Sequence, residues 1–151
     1  MSRNSTLLRL SVLTFIACAI WLIGLGGYFI FVRPPLLPED LRYLHESAGQ
    51  IAMHMPLLTS WLDKVFFVLG GFIAGGGCLL LFVAIHVLPQ RLPGTSIALG
   101  CTGSCTVASM SYINFSLASD FRWLLLSVAL TWLFGLVCFV AAGKKTAPPR
   151  L

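Results

Sequence analysis

The chain has 151 residues, 58% hydrophobic and only 10% charged, with a formal net charge of +5. Soluble domains of this size carry about 45–50% apolar and about 25% charged residues, so the composition argues against a soluble enzyme with a polar surface. Disorder over most of the chain is excluded by the same hydrophobicity, which leaves a single all-α integral membrane domain over residues 1–151.

Four apolar stretches reach the roughly 20 residues that a helix needs to cross a bilayer. They are 10–32, 65–88, 95–117 and 121–143. In lipid the backbone polar groups must be satisfied within each segment, so all four are expected to be helices. The first is flanked by Arg3 and Arg9. Its apolar run is too long for an ordinary signal peptide and no Ala-x-Ala site closes it, so it is expected to stay as a span.

Arg33-Pro34-Pro35 stops the first span, since proline cannot continue a helix. The connection 33–60 is too long to lack structure. Pro38-Glu39-Asp40 reads as a fresh helix start, with proline in the first turn and two acids complementing the dipole. Leu41, Leu44, Ala48 and Ile51 follow at helical spacing, which predicts one short amphipathic helix at the outer interface, interrupted at Met55-Pro56. Ser60-Trp61-Leu62-Asp63 matches a capping box opening the second span. This loop is either a docking surface, with Glu39, Asp40 and Arg42 as its candidate contacts, or a cover that seals the helices; the cover is the plainer expectation.

One part of the chain also has a familiar look. Arg33-Pro34-Pro35-Leu36-Leu37-Pro38-Glu39-Asp40-Leu41-Arg42-Tyr43, followed by Trp61-Leu62-Asp63-Lys64-Val65-Phe66 and Gly70-Gly71, resembles a group of small bacterial four-span membrane proteins of unknown function. The likeness covers roughly residues 24–75. It implies a bacterial inner-membrane protein. It implies no activity, so no site residue is carried over.

The second span holds Gly70, Gly71, Gly75, Gly76 and Gly77. Gly71 and Gly75 form a Gly-x-x-x-Gly spacing, and Gly70, Gly71, Ala74, Gly75, Gly77 and Cys78 share a broad face. Small residues let helix backbones approach in lipid, so Gly71 and Gly75 are candidate packing positions, within one chain or across a homodimer. Pro89 to Gly94 forms a short, breaker-rich turn. The third span is polar at Gly100-Cys101-Thr102-Gly103-Ser104-Cys105-Thr106, and Asn114 is expected to find an interhelical partner. Asp120 is the expected N-cap of the fourth span. Short connections predict an antiparallel four-helix bundle of adjacent neighbours.

An even span count puts both termini on one side. With the termini inside, Arg3, Arg9, Arg91, Lys144, Lys145 and Arg150 are cytoplasmic, against Arg33, Arg42, Lys64 and Arg122 outside. That bias predicts cytoplasmic termini, and Tyr28, Trp61, Tyr112 and Trp123 then sit near the outer ends as aromatic anchors. The basic balance reads as topology and contact with the lipid bilayer; no motif supports nucleic-acid binding.

Chemistry is sparse. Cys18, Cys78, Cys101, Cys105 and Cys138 all lie in spans without a Cys-x-x-Cys pair, so buried structural thiols are expected. His45, His54 and His86 lack metal-ligand spacing. No cofactor and no metal are expected. Between the interfacial residues no span carries Asp, Glu, Lys or Arg, whereas ion-coupled carriers normally need such a group. The expectation is a small non-enzymatic inner-membrane protein with a structural, accessory or interaction role. A small homodimeric transporter or exporter is the alternative.

Overall fold

A computed structural model describes residues 3–143, and Lys144, Lys145 and Arg150 of the charge argument lie outside them. The described residues form helices and no strands. Helix α1 spans Arg3–Phe31, α2 Pro38–Leu44, α3 Ala48–His54 and α4 Leu58–Phe82. Helix α4 runs on through a π turn, Val83–Val87, and a 3-10 turn, Leu88–Gln90. Helix α5, Thr95–Gly103, passes through a π segment, Ser104–Ala108, into α6, Ser109–Ser116; α7 is Arg122–Gly143.

Among the described residues three helices are long and apolar enough to cross a membrane: Arg3–Phe31, Leu58–Gln90 and Arg122–Gly143. The third segment, 95–116, is helical throughout but is not among them. Its glycines, serines and threonines lower its hydropathy, the same polarity the sequence shows.

Both π segments have local causes. Pro89 has no N–H to give to the preceding turn, so the ladder loosens over Val83–Val87. In the third segment side-chain hydroxyls bond back to carbonyls of their own helix: Ser104 to Gly100 at 2.9 Å, Thr106 to Thr102 at 2.6 Å and Ser109 to Cys105 at 2.7 Å. Such back-bonding competes with the backbone ladder and opens it.

The helices do not close into a symmetric bundle. Helix α1 packs against α4 on one side and α7 on the other, and α7 in turn carries α5, the π segment and α6. The order in space is therefore α4, α1, α7 and the 95–116 segment. Although only a short turn joins α4 to α5, they do not pack extensively together. The expected adjacency of sequence neighbours fails there, because both helices find better-fitting surfaces on α1 and α7.

The fits are specific. Gly26 of α1 meets Gly70 and Ala74 of α4 so closely that a Cβ at Gly26 would lie 2.5 Å from the Ala74 nitrogen and 2.6 Å from the Gly70 oxygen. Gly77, one turn further on, lies against Ala19 and Ile23. Between α1 and α7, the buried Ser11 hydroxyl donates to the Gly135 carbonyl at 2.8 Å. Trp132 of α7 is 3% exposed, stacks edge-on to Phe15 at 5.3 Å, and donates from Nε1 to the Leu99 carbonyl at 3.0 Å. A single buried side chain thus joins α1, α7 and α5.

Several local expectations are corrected. The connection 33–60 contains two short helices, because His45 turns into the left-handed region at φ 55° and ends α2. A capping box does form, but at Ser47 and Gln50, which start α3: Gln50 N donates to Ser47 Oγ and Ser47 N to Gln50 Oε1. Ser60 lies inside α4, where its hydroxyl oxygen accepts from Lys64 Nζ at 3.2 Å. Ser119 rather than Asp120 holds the turn before α7, accepting from Phe121 N at 3.2 Å. Asn114 donates to Met110 of its own helix, not to a neighbour.

Candidate functional site

The residues singled out in the connection 33–60 do come together, at the end of the molecule where α2 meets the turn before α7. Helix α1 ends with the amides of Val32 and Arg33 both donating to the Tyr28 carbonyl. This swings the Arg33 side chain back over α4, with its guanidinium 3.5 Å from the centre of the Phe66 ring and 5.3 Å from that of Phe29. Its Nη2 then reaches Asp40 Oδ2 at 3.3 Å. The same carboxylate oxygen accepts from Leu37 N at 2.8 Å, fastening the first turn of α2. Asp40 therefore ties the start of α2 to a cation held on aromatic faces.

Glu39, next to it, is 5% exposed and accepts from the Ser119 hydroxyl at 3.1 Å. Ser119 is itself buried and holds the turn into α7, so one hydroxyl serves both ends of the contact. Arg42, a turn later, pairs with Asp120 at 3.3 Å, with side chains 57% and 68% exposed. Glu39, Asp40 and Arg42 are thus all engaged within the chain, and together they strap the connection across the helix ends. The outward face they leave is mixed: Tyr43, Leu44, Met53, Met55 and Leu57 are exposed beside His45, Glu46, Gln50 and His54.

The two ion pairs should behave differently. Arg42→Ala breaks a solvent-exposed pair and is expected to cost at most about 1 kcal/mol. Arg33→Ala removes a nearly buried cation from Asp40 and two rings, and is expected to cost about 1–3 kcal/mol. Thermal unfolding of the purified protein in detergent checks both, and equal shifts would contradict the strap.

The glycine face divides in two. Gly70, Ala74 and Gly77 carry the contact with α1, whereas a Cβ at Gly71, Gly75 or Gly76 would meet nothing within 4 Å. The expected packing of Gly71 and Gly75 within the chain is therefore corrected. On a helix, positions 70, 74 and 77 point one way and 71 and 75 another, and α1 is narrow enough to cover only the first set. The bare set floors a shallow groove of about 390 Å³ between Val68 and Phe72.

The thiols are likewise split. Cys18 and Cys138 are buried; Cys78, Cys101 and Cys105 are exposed, which corrects the expectation of buried thiols for those three. His86 lies against the Phe82 ring at 4.9 Å and His54 Nδ1 against the Gln50 carbonyl at 2.8 Å. Among the described residues no three of His, Cys, Asp and Glu gather as a metal site would require. The outward face of the third segment was legible as polar, but its position at the edge of the helix row was not.

No protein-family model, curated protein or solved structure matches the chain.

Proposed function

We propose that this chain is a small four-span membrane protein that works by lateral association, as an accessory or scaffold subunit rather than an enzyme. In this reading the polar segment 95–116 also crosses, as the third of four spans. It is 22 residues of unbroken helix, close to the length a span requires. The strap over α2 and α3 lies at the outer interface, with Tyr43, Leu44 and Met53 resting among headgroups. The basic-residue bias favours cytoplasmic termini, and the resemblance over residues 24–75 favours a bacterial inner membrane.

The observation that carries the reading is the bare glycine face of α4 at the edge of the helix row. Lipid gives no reason to concentrate glycine on an outward surface, whereas a neighbouring helix does, because its backbone can approach there. A photo-crosslinking residue at Phe72, which is 77% exposed, should trap a protein partner, and one at the 56%-exposed Leu130 of α7 should trap only lipid. Lipid adducts alone at both positions would overturn the proposal.

The homodimeric transporter remains a second reading, favoured by the exposed Thr102, Ser104, Thr106 and Ser109 of the third segment. The hydroxyls of Ser104, Thr106 and Ser109 already bond within their own helix, and between the interfacial residues no span carries Asp, Glu, Lys or Arg. In the same crosslinking experiment this reading requires an adduct of twice the chain mass.

A further inference from the structure

At the end of the molecule away from the strap, the first turn of α1, the turn 91–94 and the last turn of α7 surround a cavity of about 650 Å³. Arg91, Asn4 and Ser96 form part of its wall, and Leu92, Phe139 and Val140 another part. The volume suits a small ligand or a lipid headgroup.

Arg91 is fixed there by the fold. Its backbone adopts the left-handed region at φ 55°, and its amide donates to the Leu88 carbonyl. The side chain then reaches α7, where Nη1 donates to Ala142 O at 2.6 Å and Nη2 to Phe139 O at 3.3 Å. These are neutral carbonyls at a helix C-terminus, where a cation is favoured. They engage two of the five guanidinium N–H donors and leave the charge whole.

Among the described residues no acidic side chain answers that charge. All five acids are Glu39, Asp40, Glu46, Asp63 and Asp120, which lie in the strap, the start of α4 and the turn before α7, at the opposite end. Arg3 and Arg9 of α1 add further positive charge at the Arg91 end. The start of α5 adds donors. Gly94 precedes it at φ 85° with no side-chain cap, and the Thr95 hydroxyl donates to Leu92 O instead of capping. Ser96 in that first turn faces the cavity.

We propose that this cavity binds the phosphodiester headgroup of an anionic phospholipid, with the phosphate against Arg91 and Ser96. The wall of Leu92, Phe139 and Val140 takes the glycerol and the first methylenes. The cavity lies at the helix ends, at headgroup depth, whichever way the chain is oriented. A basic pocket between helices at that depth is suited to such a headgroup. The inference stands apart from lateral association through α4, and each can fail without the other.

The test uses the full chain purified in neutral detergent. Native mass spectrometry with phosphatidylglycerol should retain a one-to-one adduct at least tenfold more than with phosphatidylcholine, and inorganic phosphate should not displace it at equal concentration. Ser96→Glu leaves the bonds between Arg91 and α7 in place and sets a carboxylate in the cavity. An acid in a first helical turn is favourable, so folding should persist while the adduct falls at least tenfold. Leu92→Glu, at an exposed position of the same wall, should act alike. Equal retention of the two lipids, or undiminished phosphatidylglycerol on both folded variants, overturns the proposal. Displacement by inorganic phosphate overturns the lipid assignment and leaves a site for the free anion.

Discussion

Gly70→Leu and Gly26→Leu are expected to abolish folded protein in the membrane, while Gly71→Leu and Gly75→Leu leave it at wild-type abundance. The first pair stands where the α1 and α4 backbones meet, and even a Cβ there would lie within 2.5–2.9 Å of atoms across the contact, backbone among them. A neighbouring backbone cannot rotate away as a side chain can, so the two helices must separate along their length. The cost should exceed the roughly 3 kcal/mol at which most overpacked cores stop. At Gly71 and Gly75 a new side chain meets open space. Their effect should appear only in partner capture at Phe72. Membrane abundance with size-exclusion profiles in detergent reads the result. Loss of fold at all four positions would show that α1 and α4 are differently rotated.

Trp132→Ala is the second large effect, with an expected loss of about 3–5 kcal/mol from the cavity it leaves. The ring fills the junction of α1, α7 and α5, edge-on to Phe15 and against Gly103, and its Nε1 proton is bonded to Leu99 O. Trp132→Phe keeps most of the packing but not the hydrogen bond, and should recover more than half of the loss. The other ring contact of the third segment with α7, Phe115 edge-on to Trp123 at 5.1 Å, is between exposed side chains, so release of the segment should precede global unfolding in the alanine variant. Protease access to the 91–94 turn, compared with thermal unfolding followed at Trp21, separates the two events. If Trp132→Ala melts like the wild type, Trp132 is not the junction.

How far the sequence disclosed this arrangement depended on which forces set each feature. Helix positions rest on hydrophobic runs and were readable to within a few residues at 95, 121 and 143, although α1 begins at Arg3 rather than 10 and α4 at Leu58 rather than 65. Helix α4 starts early because Met55-Pro56 supplies its break and Ser60 is free to sit inside it. Glu39, Asp40 and Arg42 were readable as part of a helix start, but their partners Ser119, Arg33 and Asp120 are tertiary choices that no local pattern encodes. The glycines show the limit most plainly. A Gly-x-x-x-Gly spacing marks a face on which helices can approach, but it does not name the helix. The face at Gly70, Ala74 and Gly77 was taken by α1 because Gly26 and Ala19 offer a matching recess. The order of helices in space, which puts α4 and the third segment at opposite edges, likewise depends on such matches and not on loop length.

The proposed crossing of the polar segment 95–116, as the third of four spans, can be read directly in cells. Single reactive cysteines at Gln50, Pro93 and Asp120, all exposed, in a chain whose five native cysteines are replaced by alanine or serine, test it by labelling with an impermeant maleimide on intact cells. Labelling is expected at Gln50 and Asp120, with protection of Pro93 until the membrane is opened. Protection of Pro93 and Asp120 together, with Gln50 labelled, would contradict the four-span arrangement and leave the segment lying on one side of a three-span protein.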